Sequence, residues 1–480
     1  MVHVVPNVIA SRHVAGRISL KFSALNVIKY STKFPLPKKP KMKNRILPFL
    51  ACVITLVFSF SAVAQEKLGG YERQRGLEML KQIKDDLKNK YYDTGLRGID
   101  LDAKFAAASE KMKNASSIGQ VMGIIAQLTL EFNDSHTFFV PPARVGKTQY
   151  GWKGQMIGDH AFVTAIKPNS DAEAKGLKVG DEVVAIDNYT VDRGSFWLMK
   201  YYYYTLRPQP GMKLRVRHPE GKEEDMIALA KITAGKKLTN LTGSDGGIDL
   251  WNYIRDLEQE DYLVRARTSV IDDVFVWEMP EFDLDESQID SMMDRASKHK
   301  AVVLDLRKNP GGAVTTLNRL VGNFFDHDVK IADWKGRKKF APQVAKTRGG
   351  RAFKGDLVVL IDSESASAAE IFARVIQLEK RGTIMGDTSS GKVMVSRFYD
   401  HQSGIDTVAF YGASVTEADL IMTDGKSLEN NGVAPDKPML PSAADMAAGR
   451  DPLLAAAVAL CGGKLDAVDA GKLFPVEWPK

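Results

Sequence analysis

The stretch Leu357-Val-Val-Leu-Ile-Asp-Ser-Glu-Ser-Ala-Ser-Ala-Ala-Glu-Ile-Phe372 combines the patterns that decide the fold class. Its first five residues form a continuous apolar run, which is typical of a strand buried on both faces of a sheet. A short serine-rich loop follows, and the apolar spacing over 368–378 predicts a helix. A second apolar run at 301–306 and a helical pattern at 288–296 repeat this alternation. We therefore expect an α/β core over 236–450.

Ser367 lies at the predicted start of the helix. Free backbone N–H groups and the positive end of the helix would stabilise an oxyanion there, as acyl transfer requires. A serine needs a base, and Lys392 ends the segment Ile384-Met-Gly-Asp-Thr-Ser-Ser-Gly-Lys392, where apolar neighbours favour burial and a lowered pKa. The alternative interpretations are that Ser367 only caps the helix and that Lys392 is a solvated lysine.

Together these segments resemble the tail-specific, or C-terminal processing, peptidases, to which the tricorn core peptidases are related. In that family a Ser-Ala-Ser-Ala-x-Glu segment precedes a Gly-Lys pair, which implies Ser367 as nucleophile and Lys392 as base. Asp305-Leu-Arg-Lys-Asn-Pro-Gly-Gly312 is similar to the family's Asn-Pro-Gly-Gly loop, and Asn431-Gly-Val-Ala-Pro-Asp436 is similar to its closing motif. The resemblance implies a crotonase-like or ClpP-like α/β peptidase core.

The resemblance also implies an oxyanion hole, formed by the N–H groups of Ala368 and of either Gly311 or Gly312. One position departs from the family pattern. Many members have a glutamine four residues after the lysine, where it orients the base, but this chain has Ser396. The group that orients Lys392 is therefore left open.

A second candidate base lies in the segment Asn133-Asp-Ser-His-Thr137. This segment resembles one in the tricorn-like branch, where a Ser-His pair belongs to the active site and a late glutamate supports the histidine. That branch implies His136 as the base and Glu429 as its support. Histidine suits the role because its charge changes near neutral pH. Both Lys392 and His136 therefore remain candidates.

Two further regions precede the core. Residues 65–147 have helical periodicity, and 148–235 have short strand-like runs separated by turns. The segment Pro168–Asn188 resembles a PDZ domain, which adds a peptide to a sheet edge and binds its terminal carboxylate in a nest of N–H groups. We place that nest at Gly154, Gln155 and Met156. The alternative is a β module that packs against the enzyme and binds nothing.

The leader at 1–64 contains ten basic and no acidic residues, which leaves 56 basic against 59 acidic residues in the rest of the chain. The net charge of +7 therefore gives no support for nucleic-acid binding.

Residues 42–64 of the leader have the pattern of a secretory signal. They begin with basic residues, continue with the apolar run Ile46–Phe60 and end with Ala62-Val-Ala64, after which we expect cleavage. An uncleaved signal acting as a membrane anchor is the alternative. Met42 stands where such a signal would begin, so 1–41 is interpreted as an upstream extension.

The sequence contains none of the motifs of several other kinds of site. It has no Gly-x-Ser-x-Gly nucleophile elbow, no His-Glu-x-x-His zinc motif, no phosphate-binding loop and no Cys-x-x-Cys pair. We expect no cofactor, no metal and no nucleotide. The only cysteines are Cys52 and Cys461, so the exported chain would have one thiol and no internal disulfide. Residues 451–480 are assigned to a C-terminal tail. The sequence thus predicts a periplasmic or secreted serine endopeptidase that acts on proteins or peptides with free C-termini, or a catalytically silent homologue that only binds peptides.

Overall fold

The structure, a computed structural model, describes residues 68–142, 146–234, 265–404 and 409–478, which lie in one compact unit. The predicted leader, with its signal at 42–64, lies outside the described residues. Within the described ranges, no helix combines the length and apolar character needed to cross a bilayer.

Three helices form the N-terminal part: α1 (Gly70–Lys90), α2 (Leu101–Lys113) and α3 (Ile118–Leu130). Helices α2 and α3 each begin after a capping residue: the side chains of Asp100 and Ser117 accept hydrogen bonds from backbone N–H groups in the first turns of α2 and α3. A 3-10 turn at Leu96–Gly98 connects α1 to α2. Buried residues of all three helices share one core, which includes Leu80, Ile83, Leu87, Val121, Ile125 and Leu128.

Residues 146–234, here called the β module, contain a six-stranded sheet ordered β3–β4–β5–β7–β8, with β6 paired to β5. Its strands are β3 (Trp152–Ile157), β4 (His160–Ile166), β5 (Glu182–Ile186), β6 (Tyr189–Thr190), β7 (Gly211–Arg217) and β8 (Glu223–Leu229). Helix α4 (Asp171–Ala174) lies between β4 and β5, and α5 (Phe196–Lys200) continues into a π-helical turn, Tyr201–Leu206. Strands β2 (Gly146–Gln149) and β9 (Lys231–Ala234) pair with each other at the two ends of the module.

The core sheet is ordered β10–β11–β12–β15–β16–β19 and is parallel from β11 to β19. Its strands are β10 (Arg267–Ile271), β11 (Val274–Glu278), β12 (Ala301–Asp305), β15 (Asp356–Ile361), β16 (Thr383–Gly386) and β19 (Lys437–Pro438). All residues of β12 are buried, and β15 is buried after Asp356. The α/β core predicted from the two apolar runs is therefore present.

Helices cover both faces of this sheet. One face packs against α6 (Glu286–Ala296), α7 (Val314–Gly322) and α8 (Ala368–Leu378). The other face packs against α10 (Pro452–Leu460) and α11 (Ala467–Leu473), which follow the short α9 (Ala443–Ala447).

The assignment of 451–480 to a tail is therefore wrong. Leu453, Leu454, Ala457 and Val458 of α10 are buried against strand residues such as Val303 and Val358. A parallel sheet with apolar side chains on both faces needs a layer on each side, and this segment supplies the second one. The helix α10 is apolar at nearly every position, so its sequence lacks the amphipathic pattern from which a packed helix is usually predicted.

A second sheet joins the N-terminal part to the core. Its strands are ordered β1–β18–β13–β14, with β17 paired to β18, and their bounds are β1 (Phe138–Val140), β13 (Val329–Gly336), β14 (Gln343–Ala345), β17 (Val395–Ser403) and β18 (Ala409–Met422). A 3-10 turn, Gly349–Arg351, follows β14. Since β1 belongs to this sheet, the predicted helical region 65–147 is helical only as far as Leu130. The pairing brings the segment just before β1, which contains His136, to the core.

Candidate active site

Ser367 lies between the end of β15 and the first residue of α8, and it is fully buried. Its backbone has φ +55° and ψ −119°, a conformation that is rare for a residue with a Cβ and costs on the order of 1–3 kcal/mol. Within the part of the chain that the structure describes, its hydroxyl oxygen has no hydrogen-bond partner. The strand–loop–helix arrangement predicted for this serine is therefore present, and the backbone of the serine itself is strained.

The other two serines of the loop hold it in place. Ser365 Oγ donates to the carbonyl oxygen of Leu306 over 2.7 Å and accepts the N–H of Asp362 over 2.9 Å. Ser363 Oγ donates to the carbonyl oxygen of Met156 in the β module. Both hydroxyls are thus committed to structural hydrogen bonds, whereas that of Ser367 is not.

The glycine loop lies directly against Ser367. A Cβ on Gly311 would lie 2.6 Å from the Cβ of Ser367, so only glycine fits there, and φ is +99° at Gly311 and +140° at Gly312. The N–H of Gly311 donates to Asn309 Oδ1 over 2.8 Å. Gly312 is therefore the better placed of the two glycines to donate to an oxyanion. Ala368 is the first residue of α8, where a backbone N–H has no acceptor within the helix.

Lys392 is buried. Its main chain lies beside that of Ser367, whose N–H donates to the carbonyl oxygen of Lys392 over 2.8 Å. Burial lowers the pKa of Lys392 to about 8, against the opposing effect of the Glu370 carboxylate, while the charge of Lys200 lowers it further. Ser396, which stands where the family has an orienting glutamine, accepts a hydrogen bond from Ser414 Oγ over 3.0 Å.

His136 is also fully buried, and its Nδ1 lies 2.5 Å from Ser135 Oγ. That hydroxyl donates to Glu429 Oε2 over 2.8 Å, and the N–H of Ser135 donates to Oε1 over 2.7 Å. The same carboxylate accepts the N–H of Val393, the residue after Lys392, over 3.1 Å. Glu429 therefore reaches His136 through Ser135 and also contacts the segment that carries Lys392.

The protonation of Glu429 decides which nitrogen of His136 carries the proton. An ionised Glu429 accepts the one proton of the Ser135 hydroxyl, so Nδ1 must donate to Ser135 Oγ, whereas a protonated Glu429 could donate to that hydroxyl and place the imidazole proton on Nε2. With Glu429 ionised, Nε2 is the acceptor, as a general base requires. Burial and the nearby charge of Asp134 raise the pKa of Glu429 to about 8, while three donated hydrogen bonds favour its charged form.

Comparison with known proteins relates part of the chain to one family of peptidases. Residues 274–439, which contain the glycine loop, Ser367, Lys392 and Glu429, match the description "Peptidase family S41". This chain carries a family S41 peptidase domain. Outside that segment lie the β module and the His136 segment.

Curated relatives of the S41 domain include two bacterial proteases. The tail-specific protease of Haemophilus influenzae is 25% identical over 294 residues, which cover 59% of this chain and 39% of that protein. The carboxy-terminal processing protease CtpA of Bacillus subtilis is 27% identical over 287 residues, which cover 58% of this chain and 53% of that protein. The matched region thus spans between two fifths and about half of the length of these two relatives.

Among solved structures, the crystal structure of mature CPAF superposes with a TM-score of 0.60 at 15% identity and covers 78% of this chain and 94% of that one. At this level of identity the likeness describes the fold alone. It extends well beyond the 274–439 segment of the S41 domain.

A buried carboxylate of the S41 domain was not predicted as a functional group. Glu370 lies in the first turn of α8 and accepts hydrogen bonds from Ser367 N, Lys392 N, Gly391 N and Ser389 Oγ. The sequence signal was its position three residues after Ser367, the spacing of a capping box. That spacing accounts for the first of these bonds and not for the other three.

The residues predicted to form a carboxylate-binding nest do not form one. Gly154, Gln155 and Met156 lie inside β3 and pair with β4. Successive N–H groups of an extended strand point to opposite sides, whereas a nest needs a turn conformation. Gln155 Nε2 instead donates to Asp362 Oδ2 over 2.5 Å, beside the contact between Met156 and Ser363.

The β module also contacts the S41 domain through two ion pairs. Lys200 Nζ lies 2.9 Å from Glu364 Oε1, three residues before Ser367. Arg193 lies 2.5 Å from Asp387, in the loop that leads to Lys392. One module therefore contacts both loops that carry candidate catalytic residues.

Within the described ranges, no group of three His, Cys, Asp or Glu side chains is placed to hold a metal ion. The site as described consists of a hydroxyl, an amine, an imidazole, carboxylates and backbone N–H groups. Such groups can carry out nucleophilic acyl transfer.

Proposed function

We propose that this chain is an exported serine endopeptidase that cleaves proteins or peptides near their C-termini. The observation that carries the proposal is Ser367: a buried, strained serine with an unpaired hydroxyl at a helix N-terminus, against a glycine loop and beside a buried lysine. A serine that served only as a helix cap would have no need of that strain. The names of the two bacterial relatives support action on protein tails.

In the proposed reaction, Ser367 Oγ attacks the scissile carbonyl carbon while Lys392 Nζ accepts the hydroxyl proton. The N–H groups of Gly312 and Ala368 bind the oxyanion of the tetrahedral intermediate. When the intermediate collapses, the C–N bond breaks and Lys392 returns the proton to the leaving amine. Water then attacks the acyl-enzyme with Lys392 again as base, which releases the carboxylic acid and restores Ser367.

Two observations support Lys392 as the base. Its main chain is hydrogen-bonded to that of Ser367, and its burial lowers its pKa to about 8, so a useful fraction is neutral in mildly alkaline solution.

A second arrangement uses His136 as the base. The observation that favours it is the position of Ser135 between His136 Nδ1 and Glu429, which leaves Nε2 as the acceptor nitrogen when Glu429 is ionised. Such a chain of hydrogen bonds would orient and stabilise the imidazolium formed during attack. The two arrangements share Ser367 and the oxyanion hole and differ only in the group that takes the proton.

The β module is proposed to bind substrate tails in the manner of a PDZ domain. Its short helix α4 and the turns at Gly176 and Gly180, with φ of +87° and +92°, support that resemblance. Its contacts with both catalytic loops give it a direct route to influence the site. The binding surface itself is not at Gly154–Met156, which lie in β3 against the nucleophile loop.

Cleavage of an unstructured protein, with and without a short apolar C-terminal extension, tests the proposal. We expect the purified protein to release C-terminal fragments from the extended substrate, and the Ser367→Ala variant to release none. Intact mass of the exported form tests export, since cleavage after Ala64 would leave Gln65 as the first residue. Equal turnover by wild type and Ser367→Ala would contradict the proposed reaction.

A further inference from the structure

Glu370 lies at the point where the nucleophile segment and the lysine segment meet. It is fully buried, and among the described residues the four hydrogen bonds to its carboxylate come from these two segments. Its Oε2 accepts the N–H of Lys392 over 2.8 Å and, over 3.0 Å, that of Ser367, which is shared with the carbonyl oxygen of Lys392 at 2.8 Å. Its Oε1 accepts the N–H of Gly391 over 2.6 Å and Ser389 Oγ over 2.6 Å.

A structural role as part of a helix cap would explain only one of these four bonds. In a capping box the third helical residue accepts the N–H of the capping residue, which here is the bond from Ser367. The other three bonds join the carboxylate to residues 389–392, which are distant in sequence and carry the proposed base. An ionised carboxylate has acceptor sites for all four donors, whereas a glutamine amide would direct an NH₂ group at two of them.

Burial of this carboxylate is costly. Burial raises the pKa of Glu370, and the hydrogen bonds from Ser389, Lys392, Gly391 and Ser367 oppose that rise. Its negative charge also raises the pKa of Lys392, against the effect of burial. A carboxylate retained at this position therefore affects both the geometry and the protonation of the site.

We propose that Glu370 is a positioning residue, whose carboxylate holds the main chains of Ser367 and Lys392 in register so that hydroxyl and amine meet. This inference rests on the proposed function, with Lys392 as base. The bond from Ser367 N also holds the serine in its strained conformation, with φ of +55°. No contact between Glu370 and a substrate is required.

Two variants of Glu370 separate geometry from charge. Glu370→Gln keeps the length of the side chain but loses its charge and half of its acceptors. We expect kcat to fall by about 10²-fold, as for a small misplacement of reacting groups, with KM within about twofold of wild type. The acid limb of the pH–rate profile should move to lower pH, because removing a nearby negative charge lowers the pKa of Lys392. Glu370→Asp keeps the charge but loses reach, so kcat should fall while the acid limb stays in place.

The matched control is Glu379→Gln, an exposed glutamate at the end of the same helix, which should leave both kcat and the acid limb unchanged. Should Glu370→Gln fail to fold by circular dichroism, Ser389→Ala removes one donor to Oε1 and should lower kcat with KM unchanged. A folded Glu370→Gln with wild-type kcat, or with an unmoved acid limb, would overturn the inference. Turnover by Ser367→Ala in the same assay would instead overturn the proposed function, whatever Glu370 does.

Discussion

The N–H of Ser367 donates to the carbonyl oxygen of Lys392 over 2.8 Å, so the proposed nucleophile and base are joined through their main chains and not only through side chains. Their backbones therefore stay in register when either side chain is changed. Substitutions at Lys392 should consequently remove chemistry without dismantling the loop.

The pH dependence of turnover follows from the lowered pKa of Lys392. A general base must be neutral, and with a pKa of about 8 the amine is mostly protonated below that pH. We expect kcat/KM to rise about tenfold per pH unit up to about pH 8 and then to level off. Initial rates over pH 5.5–10 measure this profile, and an acid limb near pH 6 would contradict Lys392 as the base.

Replacing Lys392 should inactivate the enzyme and stabilise it. In the unfolded chain a lysine has a pKa of about 10.4, so at pH 7 folding must bury a charged amine whose pKa falls to about 8. The unfolded state binds more protons between these values, so the stability of wild type rises with pH across that window and carries the full penalty below it.

Lys392→Met removes the penalty, so its free energy of unfolding at pH 7 should exceed that of wild type by on the order of 3 kcal/mol. The gain should shrink towards pH 10, and kcat should fall by about 10²–10⁴-fold. Urea denaturation at both pH values measures this, with Lys437→Met, an exposed lysine, as the control. A destabilised Lys392→Met at pH 7 would mean that the amine makes favourable contacts that outweigh its burial.

The two candidate bases predict opposite patterns. With Lys392 as base, His136→Ala should retain much of the activity, whereas Lys392→Arg should have none, because a guanidinium stays charged. With His136 as base, His136→Ala and Glu429→Gln should each lose turnover, and Ser135→Ala should lose part of it by breaking the link to Glu429. Single-turnover rates for the four variants decide between them. Comparable severe losses from His136→Ala and Lys392→Arg, with folding intact, would point to a shared network.

The ion pair between the β module and the loop before Ser367 should make the effects of substitutions at its two residues on kcat depend on each other. Lys200 and Glu364 form an ion pair at 2.9 Å with each side chain about one third exposed. Lys200→Glu or Glu364→Lys alone should lower kcat, since each places like charges in contact, and the double exchange should recover most of the loss. Effects that simply add in the double variant would show that this contact does not transmit to the site.

Much of the site could be predicted from sequence because its parts are local. The segment Leu357–Leu378 contains an apolar strand, a serine-rich loop and a helix in succession. The glycines that approach Ser367 can be recognised in the sequence as the pair Gly311-Gly312. The bonds from Glu370 to Gly391 and Lys392 could not be predicted, because they depend on how β16 returns the chain beside α8.

The remaining differences also have physical reasons. Gln155 and Arg193 resemble ordinary polar surface residues in sequence, and only the docking of the β module gives them partners in the S41 domain. The sequence does not predict helix α10, because its apolar composition has little periodicity. It does not predict β1 either, because three residues are too few to show the alternation of a strand.

Covalent labelling by a fluorophosphonate, followed by peptide mapping, identifies the reactive serine. We expect one adduct, on the peptide that contains Ser367, with labelling abolished in Ser367→Ala and retained in Ser297→Ala, an exposed serine at the C-terminal end of α6. Labelling should slow at low pH in step with turnover. An adduct on another serine, or hydrolysis that persists in a folded Ser367→Ala variant, would show that Ser367 is not the nucleophile.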